Sequence, residues 1–79
     1  MKARIHVTLK DGVLDPQGEA VRHALGQLGF AGVAGVRQGK YLELDLDETD
    51  PAKAEAAARA MCEKLLANTV IENFSVEIA

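Results

Sequence analysis

Seventy-nine residues can enclose one hydrophobic core and leave no room for a second. A composition of 48% hydrophobic and 27% charged residues is that of a folded globular chain and excludes a disordered one. A net charge of -3 with scattered basic residues repels a phosphate backbone, so nucleic acid is not an expected partner, and a single cysteine excludes an intramolecular disulfide and a multi-cysteine zinc site.

Met1 leads straight into an alternating pattern, with no apolar signal core and no run approaching the roughly 20 residues that span a bilayer. A cytoplasmic location with no membrane partner is therefore expected. From Arg4 to Leu9, inward Ile5, Val7 and Leu9 alternate with Arg4, His6 and Thr8, which predicts a half-buried strand. Lys10, Asp11 and Gly12 break that pattern. Asp15 followed by Pro16 supplies an N-cap acceptor and a residue with its φ already helical, so a helix starts there. Its apolar stripe is Val21, Ala24, Leu25 and Leu28, and Gly29 ends it in the left-handed conformation, with Phe30 placed to pack back on Leu25.

Residues Ala31 to Gln38, with Val33 and Val36 among two glycines, predict a short irregular strand. Gly39 permits a tight turn into Lys40 to Asp47, where Leu42, Leu44 and Leu46 face inward and Tyr41, Glu43, Asp45 and Asp47 face outward. Asp50 and Pro51 repeat the helix-start signal, and the second helix has an inner stripe of Ala54, Ala57 or Ala58, Met61 and Leu65. Asn68 is expected to end it in a left-handed conformation. A last strand runs from about Glu72, with Phe74, Val76 and Ile78 inward. The order β-α-β-β-α-β predicts a ferredoxin-like α+β sandwich over residues 1–79, a four-stranded antiparallel sheet with both helices on one face.

Groups that could carry chemistry are sparse. His6 could act as a base beside carboxylates of a neighbouring strand, but on the wet face of a sheet it reads as a solvated histidine. His23 reads as surface in the same way. Glu43, Asp45 and Asp47 are alternating acids on the polar side of a strand, an ordinary pattern for an antiparallel sheet. Cys62 has no adjacent base and reads as an inert, partly buried thiol. No glycine cluster spells a phosphate-binding loop, so no catalytic, metal or cofactor residue is expected. A core this small, lacking disulfide and metal, favours self-association through a strand edge or sheet face.

Four segments resemble the PurS family, the small subunit of bacterial and archaeal phosphoribosylformylglycinamidine (FGAM) synthase. They are VTLKDGVLDPQGEAV from Val7 to Val21, ALGQLGF from Ala24 to Phe30, VRQGKYLELDL from Val36 to Leu46, and MCEKLLANTVIENF from Met61 to Phe74. The alanine-rich second helix and Thr69, where a proline is expected after the Asn, depart from the family pattern. The resemblance implies a subunit without catalytic groups that bridges a glutaminase subunit and a synthase subunit in purine biosynthesis. It implies that ATP and glutamine are used by those partners, that this chain binds no cofactor, and that it assembles as a homodimer or a dimer of dimers. Partner contacts are expected on Gly39, Lys40 and Tyr41 and on the segment from Asn68 to Asn73, including Ile71. A plainer account of Gly39 and Asn68 is that both serve a positive φ. Two competing readings are a small-molecule-binding regulatory domain of ferredoxin-like fold and a stand-alone enzyme using His6 with Glu43 or Asp45.

Overall fold

One strand, β1 (Lys2–Leu9), places three residues, Ala3, Ile5 and Val7, fully out of solvent. They are buried because β1 is the middle of a three-stranded antiparallel sheet, flanked by β2 (Lys40–Asp45) and β3 (Glu72–Ile78). Val7 stands opposite both Lys40 and Phe74, and His6 opposite both Tyr41 and Ser75. Leu42 and Leu44 from β2 and Phe74, Val76 and Ile78 from β3 pack half-buried around the β1 side chains, as the period of two requires. The computed structural model describes all residues, 1–79.

One helix covers this face. It is α2 (Pro51–Met61), which continues through a single π-helical turn over Cys62–Leu66 and packs on β3 and β1. Its buried stripe is Ala54, Ala58 and Cys62, with Leu66 half-buried beyond. The expected Met61 and Leu65 lie on its flank instead, with Leu65 83% exposed. Small alanine side chains let this helix sit close to the strands. The wider turn is closed by Ala67 N–H donating to the Cys62 carbonyl at 2.9 Å. Asn68 is not left-handed, since no residue but glycine has a positive φ.

The first helix, α1 (Pro16–Gln27), is built as its residues dictate. The Asp15 carboxylate accepts from Gly18 N–H at 2.8 Å. Gly29, at φ +99°, completes a Schellman closure in which Gly29 N–H donates to the Gly26 carbonyl and Phe30 N–H to the Leu25 carbonyl. Its placement differs from the expectation. None of Val21, Ala24, Leu25 and Leu28 joins the core, and Leu28 is 73% exposed. Residues 16–36 form an arm that leaves the end of the sheet, giving the molecule principal dimensions of 48 × 24 × 14 Å. Only one helix, not two, lies on the sheet.

The sheet also has three strands where four were expected. Residues 31–38 form a turn and an extended stretch with no strand pairing. Two interactions hold their end against β1 instead. Gln38 N–H donates to the other Asp15 carboxylate oxygen at 2.8 Å, and the Arg37 guanidinium donates to the Leu9 carbonyl and pairs with Asp11 at 3.6 Å. A hairpin at Gly39 would need those same groups to swing across to the free edge of β2. The resulting order is β-α-β-α-β, with both roots of the arm tied to one carboxylate.

Two backbone N–H groups hold the Asp15 carboxyl below its usual range, Gln38 first and Gly18 second. A carboxylate with a lowered folded-state pKa stabilises the fold above its ordinary value of 3.8, and that contribution is lost as pH falls through the folded value. Asp15→Asn keeps a helix-capping oxygen but presents an amide NH2 where the second acceptor stood. The expected outcome is faster amide hydrogen exchange at Gln38 with Gly18 still protected, and a shallower loss of stability with acid below about pH 4. Unchanged exchange at Gln38 would show that the tether is not what holds the arm.

Candidate functional site

The register of the sheet decides which of the expected contact residues meet. Lys40 and Tyr41 open β2, and Asn73 follows directly on the start of β3, so both regions lie at the C-terminal end of β1. Side chains alternate, however, and this splits them between two faces. Tyr41, His6 and Ser75 occupy one row on the outer face, with Thr8 and Asn73 forming the next row beside it. The Tyr41 and His6 rings stack with centroids 4.7 Å apart, tilted by 39°. Lys40, opposite buried Val7, belongs to the inner side, where its ammonium donates to the Leu66 carbonyl at 3.1 Å.

Gly39 acts through space rather than through φ. A Cβ on it would lie 2.2 Å from the Val7 carbonyl oxygen, so the strand entrance can touch β1 only without a side chain. Gly18 has a parallel role, since a Cβ there would lie 2.4 Å from the Val36 carbonyl oxygen. Glycine at both positions lets the two roots of the arm close on each other and on the sheet. The R-x-GKY and LDPQG segments are thus halves of one junction.

Asn68 organises the second region by hydrogen bonding. Its side-chain oxygen accepts from Val70 N–H at 3.2 Å, and its carbonyl accepts from Ile71 N–H and Glu72 N–H at 3.0 and 2.7 Å. The Glu72 carboxylate accepts in return from Asn68 N–H at 2.7 Å. Lys10 N–H then donates to the Ile71 carbonyl at 2.8 Å, which ties the turn to the end of β1. This lattice lifts Val70 into solvent, 80% exposed, an apolar residue that reading by strand and helix period passed over. The signal for it was an apolar pair between two turn-forming polar residues. Leu14, on the loop before Asp15, is similarly exposed and was missed for the same reason.

Electrostatics on the outer face divide it in two. Toward the N-terminal end of β1, Lys2 pairs with Glu43 at 2.9 Å and Arg4 with Glu77 at 3.4 Å. The Lys2 ammonium holds the Glu43 carboxyl below its usual range. At the other end His6, Thr8, Tyr41, Asn73 and Ser75 form an aromatic and polar patch without an ion pair. Partial desolvation, then the charge of Glu43, pushes the Tyr41 phenol up, so it stays a neutral hydrogen-bonding group. An aromatic anchor in an uncharged centre with paired charges beside it is suited to contact with another protein surface. Burial pushes the Cys62 thiol up as well, against nucleophilic use. His6 faces a phenol ring rather than the carboxylates with which it was considered as a base.

Comparison with known proteins places these features in a family. The family model PurS, phosphoribosylformylglycinamidine (FGAM) synthase, matches residues 2–79. The PurS subunit of Synechocystis sp. is 56% identical over 75 residues, which cover 95% of this chain and 75% of that one. The crystal structure of Bacillus subtilis PurS superposes with a TM-score of 0.85 at 49% identity, covering 96% of this chain and 94% of that one. A chain in the structure of PurLQS from Thermotoga maritima superposes with a TM-score of 0.88 at 32% identity, covering 96% and 93%.

Gly39→Ala places a methyl group against immovable backbone, so it is expected to cost about 1–3 kcal/mol of stability. For a domain of this size that lowers Tm by roughly 4–8 °C per kcal/mol. Val70→Ser, on an exposed turn, is expected to change stability by no more than about 0.5 kcal/mol. Thermal and urea unfolding of the two variants check both values, and equal stability of Gly39→Ala and the wild type would contradict the close approach.

Proposed function

Because this chain belongs to the PurS family, the small subunits of phosphoribosylformylglycinamidine synthase in purine biosynthesis, we propose that it joins a glutaminase subunit to a synthase subunit and shelters ammonia between them. The observation that carries this reading is the likeness, over 96% of the chain, to a component of the Thermotoga maritima PurLQS structure. In this reading the glutaminase subunit releases ammonia from glutamine. The synthase subunit uses ATP to activate an amide oxygen of the formylglycinamide substrate, and ammonia then displaces phosphate. No helix of the chain is long and apolar enough to cross a membrane, which suits a subunit working in the cytoplasm.

The physical problem that a third subunit addresses is the fate of ammonia in water. Near neutral pH free ammonia takes up a proton, and ammonium has no lone pair with which to attack carbon. A route closed to solvent keeps the nucleophile competent and holds its local concentration high, an effect of proximity and water exclusion. The chain contributes surfaces rather than reacting groups. Its contact surface is the outer patch of Tyr41, His6 and Asn73 together with the neighbouring turn from Asn68 through Ile71. Gly39 and Lys40 act from beneath, by setting where β2 begins. The chain works as a homodimer or as a pair of dimers, binds no cofactor itself, and leaves ATP and glutamine to its partners.

Reconstitution of the three subunits tests this reading. Omitting the chain is expected to abolish glutamine-dependent FGAM formation while ammonia-dependent formation persists. Tyr41→Ala removes an aromatic anchor of the kind that dominates interfaces, and a glutamine-dependent rate about tenfold lower at limiting subunit concentration is expected. Equal loss of both rates on omitting the chain, or no loss of either, would contradict a bridging role.

A further inference from the structure

The turn between β1 and α1 holds a reactive pair that no contact with partners employs. Its four residues, Lys10 to Val13, are closed by Val13 N–H donating to the Lys10 carbonyl at 3.1 Å, with Gly12 at φ +85° in third position. The base of the turn is fastened, since Lys10 N–H donates to the Ile71 carbonyl and the Arg37 guanidinium to the Leu9 carbonyl. Its tip is bare. The Asp11 side chain is 99% exposed, and the space that a Gly12 side chain would take is empty. Gly12 N–H donates no hydrogen bond within the chain.

These are the conditions for an acyl transfer within the backbone. The Asp11 carboxyl carbon and the Gly12 amide nitrogen are so close along the chain that a bond between them closes a five-membered ring, which gives the attack a high effective concentration. Glycine removes the Cβ that any other residue places beside its own amide nitrogen.

The other acids and amides of the chain lack this combination. Asp15 and Asp50 precede Pro16 and Pro51, whose nitrogens carry no hydrogen to lose. Asp45 precedes Leu46, whose N–H is bonded to the Met1 carbonyl at 2.8 Å, and Asp47 precedes Glu48, which carries a side chain beside the nitrogen. Asn68 precedes β-branched Thr69, and its side-chain oxygen is held by Val70 N–H. Asn73 lies within β3, ahead of Phe74.

We propose that the Asp11–Gly12 linkage rearranges spontaneously to an isoaspartyl linkage, and that this opens the turn at which the arm joins β1. The Gly12 nitrogen attacks Asp11 Cγ in the protonated form of the carboxyl group and forms an N–Cγ bond. The carboxyl hydroxyl leaves with the amide proton as water, and a cyclic imide remains. Water then adds to one imide carbonyl. Cleavage of the N–Cγ bond restores aspartate, whereas cleavage at the α-carbonyl leaves the chain running through Cβ and Cγ with a free α-carboxylate. The water lost in the first step is regained in the second, so no oxidant or cofactor is required and the mass is unchanged.

In the isoaspartyl form the main chain between Lys10 and Val13 is one methylene longer, so the hydrogen bond that closes the turn must span a larger ring. The carboxylate that lies 3.6 Å from Arg37 is replaced by one attached directly to Cα. Arg37 and Gln38 form the returning root of the arm, so the change falls on the junction that directs it.

Ageing of the full chain at neutral pH and body temperature tests this. The probe is a methyltransferase that esterifies isoaspartyl carboxylates, supplied with a labelled methyl donor, followed by peptide mapping. Label is expected to rise with time in the peptide that contains Asp11, preceded by a species lighter by one water. Asp11→Glu keeps the charge opposite Arg37 on a fully exposed side chain and is expected to abolish labelling of that peptide. Asp11→Asn is expected to give the same isoaspartyl peptide faster, with loss of ammonia in place of water. In the separated isoaspartyl form, amide exchange is expected to quicken at Val13 and to stay unchanged at buried Val7. A wild type that accepts no label by the time Asp11→Asn has converted would overturn the proposal, as would undiminished labelling of Asp11→Glu. Equal protection of Val13 in the two forms would overturn the opening of the turn.

Discussion

A single carboxylate governs how this molecule presents itself. Asp15 accepts one N–H from the first turn of α1 and one from Gln38, 23 residues later in the chain, so both ends of the arm converge on one point at the end of β1. The convergence works because Gly18 and Gly39 have no side chains where backbone meets backbone. From that junction come three consequences. The returning segment cannot form a fourth strand, α1 cannot settle on its own sheet, and β2 begins where Lys40 can reach the end of α2 and Tyr41 can meet His6.

Stability and contact are divided between the two faces of the sheet. The inner face holds Ala3, Ile5 and Val7 under Ala54, Ala58 and Cys62, a core of small and medium side chains that supplies the hydrophobic driving force of the chain. The outer face holds the ion pairs Lys2–Glu43 and Arg4–Glu77, each well exposed to solvent. Exposed pairs of this kind add little to stability, about 0–1 kcal/mol each. Their consequence is local. By neutralising one another they leave the Tyr41 end of the face as its uncharged part, the part best suited to desolvation by another protein. A subunit of a larger complex needs such a division, because a surface given to its partners cannot also be the one that holds its fold.

Much of the local structure was legible in the residues. Asp15-Pro16 and Asp50-Pro51 mark two helix starts, and both Asp side chains cap as expected. Gly29 closes α1 with the full Schellman pair, and the alternation of β1, β2 and β3 assigns inward and outward side chains correctly, Phe74 included. The inner stripe of α2 was displaced by one position after Ala58, because its buried residues Ala54, Ala58 and Cys62 follow at steps of four and the choice between steps of three and four depends on how the helix lies on the sheet. The family motifs were legible as motifs, but the positive φ offered as the plainer account of Gly39 and Asn68 is not what they supply, which is close approach and hydrogen bonding. Tyr41 and Asn73 were placed together by the sheet, whereas Lys40 went to the opposite face. That separation depends on strand register, which no single segment records.

What the amino-acid order settled alone is what depends on neighbours within a few residues: caps, helix ends, strand alternation, and the absence of paired cysteines or a phosphate-binding loop. The apolar stripe of α1 shows the limit, for periodicity states that a face is to be buried and is silent on which surface will bury it. Only the tertiary structure decided that its own sheet does not bury it, because both roots of the arm are bound by one carboxylate to two backbone groups far apart in the chain. The number of strands was decided at the same junction, where Arg37 and Gln38 bond to the end of β1 instead of turning back along β2.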